Sequence, residues 1–405
     1  MSNKMKLLYL HEYFTFPEAN GGTRSYDLAK EFVKNGIDVT FITTNYNIKT
    51  ETSQLWTYIE REGIKFWVLN CEYSHMMSIR QRIKSFLKFS HYASKKAFEI
   101  DADVVLGTST PLTIAIPSIR KKKRSKIPFV FEIRDVWPEG PIQQGYVKNK
   151  FLIWLLRKIE KYIYNRADYL VPLSTGMRDD ILTRVDVKNM EVIPNISEID
   201  RFEHYEDCNI DFDFTGKKVV LYAGTLGPVN DIMYVAKLAQ RTLPLAPWLC
   251  YLIIGNGQQK KDIVNYCVDN DILDKNIFFL DPIRKKDLPS VYSKVTMGSS
   301  FVWDYKIKWD NSANKFFDTL AASRPILINY QGWQADVIRE NQCGYVLPYH
   351  LTDEDVRDFV EYMSNDSLLK QHGKNARAKA EDYSLPVAVE KYMHVFDEVL
   401  KNRKK

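Results

Sequence analysis

The segment KKVVLYAGTLGPVND, from Lys217 to Asp231, places an apolar run directly before a loop with two glycines. The same order recurs at LCYLIIGNGQQK, from Leu249 to Lys260, where Gly255 and Gly257 follow the apolar run. Short apolar runs that end in glycines and lead into helix-period segments are typical of strands in a parallel sheet. A dinucleotide-binding loop would need a third glycine where Lys260 stands, so the pattern does not support NAD binding.

Apolar runs alternate with helix-period segments along the rest of the chain as well. This pattern predicts an α/β protein with helices on both faces of parallel sheets. The predicted strands are KLLYL, DVTFITT, KFWVLN, DVVLGTS, PFVFEIR, DYLVPLS and MEVIP in a first set, and KKVVLYAG, LCYLIIG, NIFFLD, VTMGSSF, RPILIN and CGYVLP in a second. We therefore predict two doubly wound, Rossmann-like domains that face each other across a cleft.

The domain boundaries follow from the polar, acid-rich segment between the two sets of strands. The first domain is predicted at 1–195, the linker at 196–216 and the second domain at 217–385. The C-terminal helix, 386–405, is predicted to pack back on the first domain. A chain of 405 residues is long enough for two cores, because a single core rarely grows beyond about 250–300 residues.

Composition excludes several classes of protein. The five cysteines are scattered without a C-x-x-C pair, so neither a zinc site nor a disulfide framework is indicated, and a reducing cytoplasm is expected. The longest apolar candidate for a membrane helix, FLIWLL at 151–156, is far shorter than the roughly 20 residues required. The net charge of +6 is modest, and its densest block is IRKKKRSK at 119–126. No metal and no nucleic-acid partner are expected.

Loops that follow strands are expected to carry the ligand site, because ligands of such sheets bind at the carboxyl ends of the strands. Gly21 and Gly22 follow the first strand and precede a helix that begins near Arg24. Glycines at a helix entrance let backbone N–H groups approach an anion, which predicts phosphate contact there. An ordinary glycine turn is the alternative interpretation.

The segment WDNSANKFFDTLAASRP, 309–325, predicts a short helix with one polar face. At about 100° per residue, Asn314, Lys315 and Asp318 share that face, and Phe316 and Phe317 lie on the other. A diphosphate could approach the N-terminus of such a helix, with Lys315 as a full charge and Asp318 as an acceptor for a ribose hydroxyl. A solvated Lys315–Asp318 pair on a surface helix explains the same pattern.

A set of motifs spread over nearly the whole chain resembles the family-4 retaining glycosyltransferases of the GT-B fold, and most closely the bacterial enzymes of capsule and O-antigen assembly. The motifs are YLHEYFTFPEANGGTRSYDLAKEFVKNGIDVTFITT, FEIRDVWPEG, VIPN, VLYAGTLG, LIIGNGQQ and NKFFDTLAASRPILIN. The resemblance implies a nucleotide-sugar donor, expected to be UDP-linked, held by the second domain. It also implies an acceptor held by the first domain.

The resemblance assigns roles to individual residues of the second domain. The acidic pair of the family falls on Asp310, near the donor sugar, and Asp318, at the ribose. Both are glutamate in the common pattern. The cations that usually hold the diphosphate fall on Thr225 and Asn230, so Lys315 is the expected replacement, supported by the N–H groups of Gly21 and Gly22. Arg284 and Arg324 are further candidates.

The remaining donor contacts implied by the resemblance come from backbone and apolar groups. Gly224 and Gly255 are expected beside the nucleotide sugar, and the nucleobase is expected against Pro282 and Ile283, after the strand NIFFLD. The nucleotide sugar is a substrate, so the resemblance implies no cofactor.

Two acidic residues of FEIRDVWPEG, Asp135 and Glu139, are candidates for direct catalysis, because the first matches a position that the family uses near the reacting sugars. The alternative is structural, since Asp135 could pair with Arg134 or cap a turn. Transfer with retention at the anomeric carbon is the expected reaction. A nucleotide-sugar 2-epimerase and a catalytically silent sugar-nucleotide-binding protein of the same fold are the alternatives.

The acceptor implied by the resemblance is a saccharide on a polyprenyl diphosphate. Arg80, Lys84 and Lys88 line one face of a helix that begins near Ile79, and 120–124 adds the block RKKKR. These cations predict peripheral docking on the anionic inner face of the cytoplasmic membrane. The alternative is a surface helix that packs its apolar stripe on the sheet and keeps its cations in water.

Overall fold

The computed structural model describes residues 4–19, 21–48, 50, 53–74 and 77–403. The chain divides into two compact units, 1–194 with 385–405 and 195–384. Each unit is built around its own parallel sheet. The prediction of two doubly wound α/β domains is therefore confirmed.

The first unit contains a seven-stranded sheet in the order β3-β4-β2-β1-β5-β6-β7. Its strands are β1 (Lys6–Leu10), β2 (Asp38–Thr44), β3 (Trp56–Arg61), β4 (Ile64–Leu69), β5 (Val104–Thr108), β6 (Phe129–Ile133) and β7 (Tyr169–Pro172). Its helices before residue 195 are α1 (Arg24–Lys34), α2 (Ile79–Glu99), α3 (Ala115–Ser125), α4 (Glu139–Gln143), α5 (Lys150–Tyr164) and α6 (Thr175–Leu182). Only β3 runs antiparallel to its neighbour among these paired strands.

Two differences from the predicted strands occur in the first unit. The sequence did not predict β3, an edge strand in which polar and apolar residues alternate. A tight turn at Glu62 and Gly63, both with positive φ, connects β3 to β4. Positive φ at both central residues suits a tight hairpin turn. The predicted strand MEVIP was wrong, because Met190 makes only an isolated bridge with Leu170.

The second unit contains a six-stranded, all-parallel sheet in the order β10-β9-β8-β11-β12-β13. Its strands are β8 (Lys218–Ala223), β9 (Leu249–Ile254), β10 (Ile277–Leu280), β11 (Met297–Ser300), β12 (Ile326–Ile328) and β13 (Gly344–Val346). Its helices are α7 (Ile199–Glu203), α8 (Ile232–Thr242), α9 (Lys260–Asp269), α10 (Leu288–Lys294), α11 (Lys306–Trp309), α12 (Asn314–Ala321), α13 (Trp333–Asn341), α14 (Asp353–Ser364) and α15 (Asp366–Glu381). All six predicted strands of this set are present.

The segment predicted as a linker, 196–216, belongs to the second unit. The Ser197 hydroxyl donates to the Phe317 carbonyl at 3.2 Å, and Phe202 is buried in the core of the unit. These contacts fix the segment although it has no apolar period in the sequence. The last helix, α16 (Leu385–Arg403), packs on α1 of the first unit, where the rings of Phe32 and Phe396 lie 5.5 Å apart.

The basic block 120–124 is less available to a partner than its sequence suggests. Lys121 is buried and donates to the Ile100 carbonyl at 2.7 Å, and Lys122 pairs with Asp168 at 2.8 Å. The expected continuous cationic surface is therefore wrong at this block, because Lys121 and Lys122 already bind a carbonyl and a carboxylate of the first unit. On α2, by contrast, Arg80, Lys84 and Lys88 are exposed. Ile83 of the same helix is half exposed.

Candidate functional site

The order of the second sheet places a candidate site at the carboxyl end of β8. The strand order reverses between β8 and its neighbour β11, and ligands of doubly wound sheets bind at such a switch point. Gly224 follows β8 there and packs against the loop after β9. A Cβ on Gly255 would overlap the Gly224 carbonyl oxygen, and one on Gly257 would overlap the Leu226 carbonyl. The glycines therefore let two loop backbones pack together.

Lys315 reaches from α12 to this glycine loop. A Cβ on Gly224 would lie 2.5 Å from Cε of Lys315 and 2.9 Å from its Nζ. The ammonium group also lies 4.9 Å from the centroid of the Tyr222 ring. Desolvation lowers the pKa of Lys315 to about 8, although Asp318 opposes the shift. A partly buried cation thus stands at the switch point, beside a backbone without a side chain.

The entrance of α12 is held by the loop that precedes it. Ala313 is the N-cap and provides no side-chain hydrogen bond to the helix. The Asn311 side chain accepts from the Ala313 N–H at 2.9 Å, and the Ser312 hydroxyl accepts from the Asn195 N–H at 3.1 Å. Asp310 is the C-cap residue of α11. Asn314, the first residue of α12, is exposed.

Asp318 lies within a chain of alternating charges. Arg201 donates from Nη2 to its Oδ1 at 2.7 Å, and Nη1 of Arg201 lies 3.2 Å from Glu198. Glu198 in turn pairs with Lys285. Burial raises the pKa of Asp318, and Arg201 counteracts that effect. The sequence did not predict a role for Arg201 or Glu198, because both lie in the segment predicted as a linker.

The segment after β10 joins this charged chain. Pro282 is exposed, whereas Ile283 packs on the buried core of the second unit. Lys285, two residues on, carries the pair with Glu198. The predicted nucleobase contact at Ile283 therefore lies two residues from a chain of ion pairs that leads through Glu198 and Arg201 to Asp318.

The other cations proposed for the diphosphate have different partners. Arg284 is exposed and pairs with Asp287 at 2.7 Å. Arg324 follows the far end of α12 and donates to the carbonyls of Tyr292 and Ser293 at 2.9 Å and 2.6 Å. Arg324 thus ties α12 to α10, which explains its position without a ligand. Lys315 is the better placed of the three for an anion near Gly224.

Thr225 and Asn230, at the positions of the missing cations, close the loop after β8. The Thr225 carbonyl accepts from the Tyr222 hydroxyl at 2.9 Å and from the Asn230 side-chain amide at 3.0 Å. The Thr225 side chain itself is exposed. The amide of Asn230 therefore stabilises the loop conformation and adds no charge to the site.

The first unit carries the remaining predicted residues, all in segments that follow strands. Gly21 has φ 145°, and a Cβ there would lie 3.2 Å from Oγ1 of Thr15. Gly22 is partly exposed two residues before α1. Asp135 is exposed and accepts from the Thr110 hydroxyl at 2.8 Å, which joins the loops after β5 and β6. Glu139 is buried and accepts from Arg157 at 2.7 Å.

A buried ion pair near these loops was missed from the sequence. Arg24 donates to Glu132 at 2.9 Å, and their side chains are 3% and 0% exposed. Tyr392 of α16 also donates to Glu132 at 2.5 Å. Burial by itself would raise the pKa of Glu132, but Arg24 and Arg134 hold it at about 2. The pair thus keeps its charges in the core, and Arg24 also donates to the carbonyl of Ile193 at 2.9 Å.

In the part of the chain that the structure describes, no group of three or more His, Cys, Asp or Glu side chains is arranged to hold a metal ion. None of the helices described there is both long and apolar enough to cross a membrane.

Residues 21–201 match the family model of Glycosyltransferase Family 4. A poly(ribitol-phosphate) α-N-acetylglucosaminyltransferase of Staphylococcus aureus (strain COL) is 22% identical over 251 residues. That alignment covers 60% of this chain and 47% of the relative, so the chain spans about half of the relative's length. The chain therefore contains a glycosyltransferase family-4 domain.

Solved structures are similar over almost the whole chain. Sucrose-phosphate synthase from Thermosynechococcus elongatus has a TM-score of 0.77 at 11% identity, covering 98% of this chain and 100% of that one. A point mutant of TarM of S. aureus, crystallised with UDP, fondaparinux and α-GlcNAc-glycerol, has a TM-score of 0.65 at 14% identity, covering 97% and 99%. These similarities establish the GT-B fold.

Proposed function

We propose that this chain is a retaining glycosyltransferase that uses a UDP-linked hexose or N-acetylaminosugar. The acceptor in this proposal is a saccharide on a polyprenyl diphosphate. The reaction then serves capsule or O-antigen assembly at the inner face of the bacterial cytoplasmic membrane. The family-4 match and the UDP in the TarM crystals support a nucleotide-sugar donor.

The observation that carries the proposal is the position of Lys315. Its ammonium group lies beside Gly224 at the switch point of the second sheet, where a phosphate can approach the backbone closely. Departure of the sugar leaves growing negative charge on the diphosphate. A fixed cation at that place lowers the barrier, because it interacts more strongly with the transition state than with the bound donor.

The lowered pKa of Lys315 fits this role. With a pKa of about 8, Lys315 is mostly charged near neutral pH in the ligand-free protein, and its neutral fraction grows as the pH rises towards that value. A bound diphosphate would favour the charged form, since an opposite charge nearby raises the pKa of an amine. The site therefore gains its full positive charge when the donor arrives.

The other site residues have roles in binding and orientation in this proposal. Asp318 accepts hydrogen bonds from the ribose, with Arg201 fixing the orientation of its carboxylate. Ile283 and Pro282 contact the nucleobase, and Asp310 lies near the donor sugar. Asn314 and the backbone at Gly224, Thr225 and Gly255 complete the donor site.

The first unit holds the acceptor in this proposal. Gly21 and Gly22 supply N–H groups to an anionic group. Asp135, which is exposed, is the better candidate for contact with the reacting sugars than Glu139, because Glu139 is buried and paired with Arg157. The exposed row Arg80, Lys84 and Lys88 on α2 attracts the anionic membrane that carries the acceptor.

The test is transfer from a panel of UDP-, GDP- and TDP-sugars to lipid-linked saccharides, with the Lys315→Met variant beside the wild type. We expect transfer from a UDP-sugar and a loss of about 10²–10³ in rate in the variant. Lys286→Met, which changes an exposed lysine of the same unit, is the control and should retain the rate. An unchanged rate in folded Lys315→Met would contradict the assignment.

Further outcomes separate the alternative functions. Rapid epimerisation of the donor without acceptor would favour a 2-epimerase. Saturable UDP binding without transfer to any acceptor of the panel would indicate a silent sugar-nucleotide-binding protein. The charge reversals Lys84→Glu and Lys88→Glu should weaken flotation with anionic vesicles at low salt, and unchanged flotation would remove α2 from the docking proposal.

A further inference from the structure

Helix α5 exposes an unusual amount of apolar surface. Of its 15 residues, only three are buried, whereas a helix that connects neighbouring strands of a sheet normally buries a full face. Six large apolar or aromatic side chains of α5 are 39% to 70% exposed, namely Phe151, Leu152, Trp154, Leu155, Ile159 and Tyr162. Tyr146, four residues before the helix, is also 70% exposed. A helix face that contacts only water does not require exposed apolar side chains of this size.

The residues of α5 separate into three faces at about 100° per residue. One face holds Glu160, Ile163 and Tyr164, and it packs on the first unit. The exposed apolar side chains other than Trp154 lie next to this buried face, within an arc of about 100°. The third face holds the cations, with Trp154 among them. The apolar surface of the helix therefore continues from the side that packs on the core onto the exposed side, where it borders the cations.

The cationic face borders a groove on the surface of the first unit. The groove has a volume of about 490 Å³, and its lining includes Lys150, Trp154, Arg157, Lys158, Lys161 and Arg184. Lys158 lies 5.7 Å from the centroid of the Trp154 ring. The one acidic residue of α5, Glu160, is buried and pairs with Arg184 at 2.9 Å. The exposed side of α5 thus combines apolar and positive groups without a negative one.

We propose that α5 is a membrane-docking helix that lies in the plane of an anionic phospholipid surface. Its exposed apolar face enters the boundary between headgroups and acyl chains, and its cations bind the headgroup phosphates. Charge complementarity favours this occupant over a second copy of the chain, because a self-association through α5 would bring two cationic faces together. Trp154 and the tyrosines beside the apolar face suit the interfacial region.

The proposal adds a different element to the function proposed above. The α2 cations supply long-range attraction in that proposal, whereas α5 supplies insertion. The inference rests on the proposed function only for the lipid-linked acceptor that docking would bring to the first unit. Vesicle binding needs no sugar nucleotide, so a failure of docking and a failure of transfer are measured separately.

The first test is flotation of the full chain with vesicles of phosphatidylglycerol and phosphatidylcholine. The double variant Leu155→Ser, Ile159→Ser should reduce binding about tenfold or more. The matched control is Leu245→Ser, Val268→Ser, which removes two exposed apolar side chains from the second unit and should leave binding within about twofold. Wild-type binding by the α5 variant, or a larger loss in the control, would overturn the proposal.

A second measurement tests insertion directly. Bromine-labelled acyl chains quench the fluorescence of a tryptophan that enters the membrane. The wild type should therefore show a quenched component that is absent from Trp154→Phe. Equal quenching in the two proteins would contradict insertion of α5.

The oligomeric state tests the competing occupant. A wild-type dimer that dissociates in Leu155→Ser, Ile159→Ser, together with no binding to anionic vesicles, would show that α5 contacts a second copy instead. A wild-type mass that is equal to that of the α5 variant, with vesicle binding lost only in the variant, supports the lipid surface.

Discussion

Replacing Lys315 by methionine should stabilise the protein while it removes most of the transfer rate. The ammonium group is held partly out of water between Gly224 and Tyr222, and this desolvation lowers its pKa from 10.5 to about 8. At about 1.4 kcal/mol per pKa unit, the shift corresponds to roughly 3 kcal/mol of unfavourable free energy in the charged folded state. Since some solvent contact remains, we expect Lys315→Met to gain about 1–2 kcal/mol near neutral pH.

The gain should depend on pH with a defined sign. Below about pH 8 both the folded and the unfolded chain carry the proton on Lys315, so the full penalty is present. Between about 8 and 10.5 the unfolded chain binds more protons than the folded chain, so the stability of the wild type rises with pH. The advantage of Lys315→Met should therefore shrink across this window.

Urea unfolding of both proteins between pH ~7 and pH ~10 measures this difference, with Lys286→Met as the control. The control should show no pH-dependent gain, because it removes an exposed lysine. Destabilisation by Lys315→Met near neutral pH, or a gain that does not change with pH, would refute the reasoning. It would mean that the ammonium group is well solvated or strongly paired in the folded chain.

Three further substitutions test other contacts. Gly255→Ala should lower the free energy of unfolding by about 1–3 kcal/mol and weaken UDP binding, because the new Cβ would overlap the Gly224 carbonyl. The control is Gly227→Ala, whose Cβ would make an ordinary 3.4 Å contact. Equal unfolding midpoints of the two variants would contradict the close approach at Gly255. Glu132→Gln should cost about 3–5 kcal/mol by leaving Arg24 without its charge partner, and calorimetry should show the loss. The stability from Glu132 is present above about pH 4.5 and disappears as the pH falls through about 2, so an unaltered acid-unfolding profile in the variant would be inconsistent with the pair. Asp318→Asn should weaken UDP binding, and wild-type affinity by titration calorimetry would remove Asp318 from the ribose site.

The sequence by itself determined the plan of the molecule and part of the candidate site. Buried parallel strands are continuous apolar runs, so all six strands of the second unit were predicted. The polar face of α12 was also predicted, because the periodicity of a helix can be recognised from neighbouring residues alone. The edge strand Trp56–Arg61 was missed because it is half exposed and alternates weakly.

Only the tertiary structure decided which groups meet. Arg201 reaches Asp318 across 117 positions of the chain, and Lys315 reaches Gly224 from a separate helix. Tertiary packing also buried Lys121 while it left the apolar face of α5 exposed. Periodicity predicts whether a face of a helix or strand is apolar or charged, but it does not determine which other segment packs against that face. The partner of a charge depends on contacts between segments that are distant in sequence, and those contacts form only when the whole unit has folded.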